Sequence, residues 1–344
     1  LKAFAKGKYF YSLMKLNKNI KIFINYFLGP LLFVWLAWTI YHQIKHQPDL
    51  ENRWREIRQS LVSTKIFLLV AVMILMLINW GIEALKWKIS IRKIQQVSFL
   101  KAFKATLSGV SFSVSTPNRV GEYLGRMLYM EEGKRLQVIS ATIVGSISQL
   151  IVTLVMGWMG LVILFPVIRA AELFSTIWIQ VIIYGVLAGL VVLVLFYFRL
   201  SWMVKWVQKL PGAKRFAFLF SAVEEFDSLL LVRLLALSVL RFLVFVVQYY
   251  VLFVLFDVNV SWWISFWAVN VSFLVLAIIP TIAIAELPQR GAIVSTIMKL
   301  FTTNILGVNL ATVCIWFINL ILPAIAGSLL ILTLRKIFGS KKES

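Results

Sequence analysis

Two short segments place ionisable side chains inside otherwise apolar sequence, and they echo one another. The first is Pro117-Asn118-Arg119-Val120-Gly121-Glu122-Tyr123-Leu124-Gly125-Arg126. The second is Pro280-Thr281-Ile282-Ala283-Ile284-Ala285-Glu286-Leu287-Pro288-Gln289-Arg290-Gly291. In each, a Glu precedes an Arg by four residues (Glu122 and Arg126, Glu286 and Arg290), which puts both on one face of a helix. In each, a proline lies upstream where it can end a helix; Pro117, Pro280 and Pro288 are the candidate breaks. Charge and broken helix within a bilayer are costly unless they line a polar cavity. Guanidinium forks suit phosphate oxygens, and the carboxylates between them can balance charge or exchange protons. Arg119 and Arg126 straddle Glu122, so the first segment is net cationic. Gly121 and Gly125 leave room for close backbone approach. Asn118 and Arg119 follow Pro117 at the expected start of a helix, whose free N–H groups favour an anion. A self-neutralised pair that only pins a turn remains open on the residues alone.

Other polar side chains are sparser. Arg241 lies eight residues beyond Arg233 in an apolar run, about 12 Å deeper at 1.5 Å per residue. It is expected to face the protein interior, with Gln248 on the same face seven residues on. Gln149, Asn270 and Asn319 read as helix–helix hydrogen bonds. Glu83, three residues before Lys86, reads as an interfacial pair with a snorkelling lysine. His42 and His46 stand four apart without a third ligand, so no metal site is expected. The single cysteine, Cys314, allows no disulfide within the chain. No P-loop, G-x-S-x-G, H-E-x-x-H or Rossmann fingerprint is present, so neither an enzyme, a cofactor nor ATP coupling is expected.

The elements that must position these residues follow from hydropathy. Of 344 residues 61% are hydrophobic and 14% charged, with mean hydropathy +0.89; soluble domains carry about 25% charged residues. The expected fold is an all-α polytopic membrane protein with about six transmembrane helices, near 22–43, 66–88, 137–165, 173–198, 231–256 and 305–334. Stretches 98–131 and 261–301, broken by Pro117 and Pro280, read as two re-entrant helical hairpins. The net charge of +21 reads as a cytoplasmic excess beside anionic headgroups rather than a nucleic-acid surface. Basic residues cluster in the arm 1–21, after the second span (Lys86, Lys88, Arg92, Lys93), after the fourth (Arg199, Lys205, Lys209) and in the tail (Arg335, Lys336). All fall on one side if the hairpins do not cross, which puts both termini in the cytoplasm. A single membrane domain 1–344 then contains halves 66–165 and 231–334 as inverted repeats, a recurring transporter design. A Val-Ser-Phe tripeptide precedes each proline, Val110-Ser111-Phe112 and Val271-Ser272-Phe273. Leu50, Trp54, Ile57 and Leu61, and Trp202, Met203, Trp206 and Val207, form amphipathic stretches expected at the interface.

The run Pro117-x-Arg119-x-Gly121-Glu122-x-x-x-Arg126 resembles the P-x-R-x-G-E-x-x-R signature of the lysylphosphatidylglycerol synthetase/flippase membrane-domain family. The resemblance implies a flippase-like protein of the bacterial inner membrane, moving an anionic or polyprenyl-phosphate lipid headgroup. Arg119, Glu122, Arg126, Arg241, Glu286 and Arg290 are the headgroup-binding candidates. The large soluble synthase domain of the lipid-aminoacylating members has no counterpart up to Ser344, so aminoacyl transfer is not expected. Uncharged Gly145-Ser146-Ile147-Ser148-Gln149 stands where the family often has an acidic–arginine pair. The alternative is a non-transporting scaffold or lipid-binding partner of an envelope-synthesis enzyme. The expected partners are membrane lipids, with a homo-oligomer or envelope-enzyme contact possible and nucleic acid excluded.

Overall fold

The computed structural model describes residues 38, 51–52, 55, 58–59, 65–114, 121–172, 175–199, 226–279 and 286–340. Pro117, Arg119, Pro280, the span near 22–43, His42, His46 and both amphipathic stretches lie outside them or nearly so. Among the described residues every regular element is helical. The order is α1 (Ile66–Ser90), α2 (Phe99–Val114), α3 (Gly121–Met127), α4 (Arg135–Ala170), α5 (Thr176–Phe198), α6 (Ser228–Leu255), α7 (Trp262–Ile278) and α8 (Glu286–Met298). Then α9 (Ile305–Trp316) passes through a π-helical turn (Phe317–Ile321) into α10 (Leu322–Ser340).

Five segments are long and apolar enough to cross a bilayer: α1, Gln137–Ala170 of α4, α5, α6 and Ile305–Leu332 across the π turn. Their outer faces carry Phe67, Ile74, Ile177, Val181, Leu195 and Leu329 to the surface. A soluble monomer rarely exposes so much contiguous apolar area. The protein is a multi-pass membrane protein. The α4 helix runs five residues past the expected end at 165, carrying Pro166 near its C-terminus.

Pairwise contacts define how the helices run. α1 and α6 are antiparallel and make the broadest interface. Their polar contacts fall at seven-residue steps along α1. Lys65 pairs with Asp257, the Val72 carbonyl accepts from Gln248 Nε2 at 3.0 Å, Asn79 Oδ1 accepts from Arg241 Nε at 2.9 Å, and Lys86 Nζ reaches Ser238 Oγ at 3.5 Å. A seven-residue step returns to nearly the same helix face, so these are rungs along one seam. Gln248 and Arg241 both face α1, seven residues apart on α6.

α2 packs on α3, and α7 less extensively on α8. α2 also packs on α10, while α7 packs on α4. Both of these contacts depend on a glycine. A Cβ at Gly327 would lie 2.0 Å from the Leu107 carbonyl oxygen, and one at Gly157 would lie 2.4 Å from Leu274 Cβ and 2.9 Å from the Asn270 oxygen. A Cβ on Gly125 would lie 2.4 Å from the Ser108 oxygen, so α3 sits backbone to backbone on α2. Side chains cap the N-termini of α6, α7 and α9. Asp227 accepts from Leu230 N–H at 3.1 Å, and Asn304 accepts from Gly307 N–H at 2.9 Å while donating to the carbonyls of Phe256 and Asp257 at 3.0 Å each. Between α3 and α4, Lys134 Nζ lies 2.7 Å from Glu131, and this contact holds the exposed Glu131 carboxyl below its usual range.

Gly157→Ala and Gly327→Ala are each expected to destabilise the protein by about 1–3 kcal/mol through overpacking. Gly189→Ala on α5, where a Cβ meets nothing within 4 Å, should be neutral or slightly stabilising, because Ala favours helix. Thermal unfolding midpoints of the three variants in one detergent check the order.

Candidate functional site

The carboxylate of Glu83 is the hub of the largest charge cluster among the described residues. It sits on α1 seven residues before Ser90, about 10 Å from the helix end. Its Oε1 lies 2.9 Å from Arg126 NH2, and its Oε2 lies 2.8 Å from Lys86 Nζ and 3.0 Å from Arg241 NH1. Arg126 also contacts Glu122 Oε1. The side chains of Glu83, Lys86 and Arg126 are 7%, 3% and 2% exposed, those of Arg241 and Glu122 22% and 25%.

Three elements bring these groups together. α1 supplies Asn79, Glu83 and Lys86 on one face at steps of four and three residues. α3 supplies Glu122 and Arg126, held against α1 by the glycine contact with α2. α6 supplies Arg241, fixed by Asn79 on both sides of its residue: Asn79 Oδ1 accepts from Arg241 Nε and Asn79 Nδ2 donates to the Arg241 carbonyl at 3.4 Å. Two tryptophans wall the cluster. Arg126 Cζ stands 5.9 Å from the Trp87 ring centroid and Arg241 Cζ 5.3 Å from that of Trp80, cation–π distances that partly replace lost hydration. Trp80 belongs to one apolar core, with α7, α8 and α9, and Ala84 and Trp87 to another, with α2, α4 and α5. Glu83 thus lies at the seam between two hydrophobic clusters.

The expectation for Glu83 and Lys86 is corrected here. They pair as expected, but the lysine does not snorkel: both side chains are buried, because α3 and α6 cover the face of α1 that hydropathy alone leaves open. The available signal was the stripe Asn79-Glu83-Lys86 in a helix otherwise built of apolar residues. Of the sequence-selected residues, Glu122, Arg126 and Arg241 converge on this hub. Arg119 lies outside the described residues. Glu286 and Arg290 form a second ion pair at 3.0 Å, half-buried on α8, and neither α2 nor α3 packs broadly against α7 or α8. Pro288 does not interrupt a helix; it occupies the first turn of α8, where its missing N–H leaves no intrahelical bond unmade. Gly121 opens α3. Asn270 is fully buried with both amide atoms unpaired, while Asn319 donates to Ile315 within the π turn.

Counted over these residues, three cations face two carboxylates. Burying ions is tolerated only where partners replace water. Arg126 nevertheless keeps a buried Nε–H with no acceptor. The arrangement has no grouping of His, Cys, Asp and Glu able to hold a metal ion among the described residues.

A polytopic helical fold with an ion cluster buried between its helices defines an integral membrane protein with a charged interior. The sequence matches the lysylphosphatidylglycerol synthase TM region over residues 26–327, and the chain belongs to that family. No curated protein matches the sequence.

Breaking a buried ion pair from one side costs about 3–5 kcal/mol, because the other charge stays behind. Glu83→Gln leaves three cations, Lys86 and Arg126 of them buried, with one carboxylate and is expected to lose stability on that scale. Glu131→Gln, at the exposed pair with Lys134, should leave the unfolding midpoint unchanged. Equal midpoints for the two variants would contradict the assignment of Glu83 as hub.

Proposed function

We propose that the protein is a flippase-like lipid transporter of the bacterial inner membrane, moving an anionic lipid headgroup, phospholipid or polyprenyl phosphate, while the acyl or prenyl tails stay in lipid. The observation that carries this reading is the excess of buried cation around Glu83. Phosphate oxygens would engage Arg126 and Arg241, with Arg119 adding charge from the same motif, while Glu122 keeps the unloaded site nearly balanced. Membership of the family supports the reading. Glu286 and Arg290 provide the corresponding pair in the second half and would receive the headgroup later in its path.

The reading includes inverted repeats, α1–α4 and α6–α10, each with a re-entrant hairpin (α2 and α3, α7 and α8). The reciprocity of packing supports it. The first hairpin packs on the last helix of the second half, the second hairpin on the last helix of the first half, and the first helices of the halves pair with each other. The two hairpin contacts each close on a glycine without room for a side chain, Gly327 and Gly157. Such repeats meeting around a polar site are a known route to alternating access.

Two experiments test these claims. In proteoliposomes doped with fluorescent phosphatidylglycerol, Arg126→Gln and Arg290→Gln should each slow leaflet transfer by about thirtyfold or more, the scale of losing one buried charge contact. Normal transfer by both variants refutes the headgroup assignment. For topology, single cysteines are placed in a Cys314→Ser background. Those at Arg92 and Gly133 should resist a membrane-impermeant maleimide in spheroplasts, and those at Glu172 and Thr303 should react. Labelling of Arg92 and Gly133 positions from opposite sides would remove the first hairpin.

A further inference from the structure

Arg126 is shared unevenly between two carboxylates. One nitrogen, NH2, contacts Glu83 Oε1 at 2.9 Å and also Glu122 Oε1. The neighbouring Nε–H is buried and has no acceptor. Nε and NH2 form one edge of the planar guanidinium, an edge that suits a partner with two oxygens. Glu122 fills half of that edge and leaves the other half unmade. An orphan donor on a side chain only 2% exposed is a standing cost to the fold. The two carboxylates are also held differently. Glu83 is 7% exposed and meets three cations, Lys86, Arg126 and Arg241. Glu122 is 25% exposed, and Arg126 is its one ion-pair partner among the described residues. Glu122 stands one turn before Arg126 on α3, so its side chain can rotate away while the helix stays in place. α2 leaves room for both stems: a Cβ on Gly109 would lie 3.2 Å from Glu122 Cγ and 3.4 Å from Arg126 Cγ. The second ion pair lacks this asymmetry. Glu286 Oε1 accepts from both Nε and NH2 of Arg290, at 3.2 and 3.0 Å, so that edge is already filled.

From this geometry we infer that the Glu122 carboxylate is an internal stand-in for the ligand: it occupies the Arg126 edge while the site is empty and is displaced when an oxyanion binds. The inference rests on the headgroup reading and deepens it. The chemistry recognised is a tetrahedral oxyanion with two free oxygens, either the phosphodiester of a lipid headgroup or free phosphate. Two oxygens on one phosphorus take Nε–H and NH2–H together, so the ligand makes one hydrogen bond more than Glu122 does. The Glu122 carboxylate then turns to the side it already partly exposes. One anion replaces another at Arg126, so three cations still face two anions. When the oxyanion leaves, Glu122 returns. The buried guanidinium is at no stage left without its second partner, and the cost of stranding a buried charge is avoided in both directions. Glu83 takes no part in the exchange, because removing it would strand Lys86, Arg126 and Arg241 at once.

The test titrates the purified full-length protein in detergent with dihexanoyl-phosphatidylglycerol, followed by calorimetry, and repeats the titration in the presence of inorganic phosphate. Two variants separate displacement from simple charge balance. Glu122→Gln removes the competing charge and should bind the lipid about tenfold more tightly, the scale of one charge-assisted contact. Glu122→Asp keeps the charge but draws the carboxylate back by one methylene from an arginine that Glu83 holds in place. It should also bind more tightly, by about threefold or more on the same scale. A carboxylate acting only through its charge would leave the Asp variant at wild-type affinity, and that result overturns the inference. The Asp variant keeps every charge of the cluster, so the test survives if the Gln variant fails to fold. Tighter binding that phosphate weakens assigns the site to any oxyanion, and tighter binding that phosphate leaves unchanged assigns it to the lipid phosphodiester; both sustain the stand-in. Transfer of fluorescent phosphatidylglycerol in proteoliposomes is measured alongside. Wild-type affinity in both variants, with transfer by the wild type intact, overturns the inference and leaves the transporter standing. Tighter binding in both variants, with no transfer by the wild type, sustains the stand-in and removes the transporter. No binding of the lipid to any of the three proteins overturns the inference as well.

Discussion

The seam between α1 and α6 is the constraint on which the rest of the structure depends. Its rungs, Lys65–Asp257, Val72–Gln248, Asn79–Arg241 and Lys86–Ser238, admit one register. A slip of one residue rotates a helix by about 100° and shifts it 1.5 Å, which would strand Gln248 and Arg241 in an apolar environment. Hydrophobic burial cannot choose a register in a bilayer, where lipid tails are as apolar as leucine. Polar rungs supply that choice, because each costs free energy wherever it is not matched.

The ion cluster follows from that register. Once Asn79 fixes Arg241, the guanidinium reaches Glu83 and lies over Trp80, and the same turn of α1 presents Glu83 to Arg126 of α3. Well-packed apolar side chains in place of these ions would often be as stable or more so. Stability alone therefore does not account for the cluster. Its position at the junction of two hydrophobic clusters places charge where packing is shared among α1, α3 and α6.

Much of the architecture was readable from residues. Unbroken apolar runs located α1, α4, α5, α6 and the final span to within a few residues. The four-residue spacing of Glu122 and Arg126, and of Glu286 and Arg290, anticipated both ion pairs. The depth of Arg241 marked it as inward-facing. Glu83 escaped because a carboxylate beside a lysine near a helix end has the pattern of an interfacial pair, and only the arrival of α3 and α6 buries it. Ser238 carries no periodic signal, since a serine in an apolar helix normally bonds its own backbone. The role of Gly157 and Gly327 depends on which helices cross, which composition does not encode.

The π-helical turn at Phe317–Ile321 shapes the final span in a different way. A turn wound one residue wider than an α-helix advances the side-chain pattern by about 100° relative to an uninterrupted helix. Before it, α9 lies against α6 and α8; after it, α10 lies against α2. One continuous hydrophobic rod thus presents two differently oriented faces, each matched to a different neighbour. The span thus divides into one length seated on α6 and α8 and a second length seated on α2.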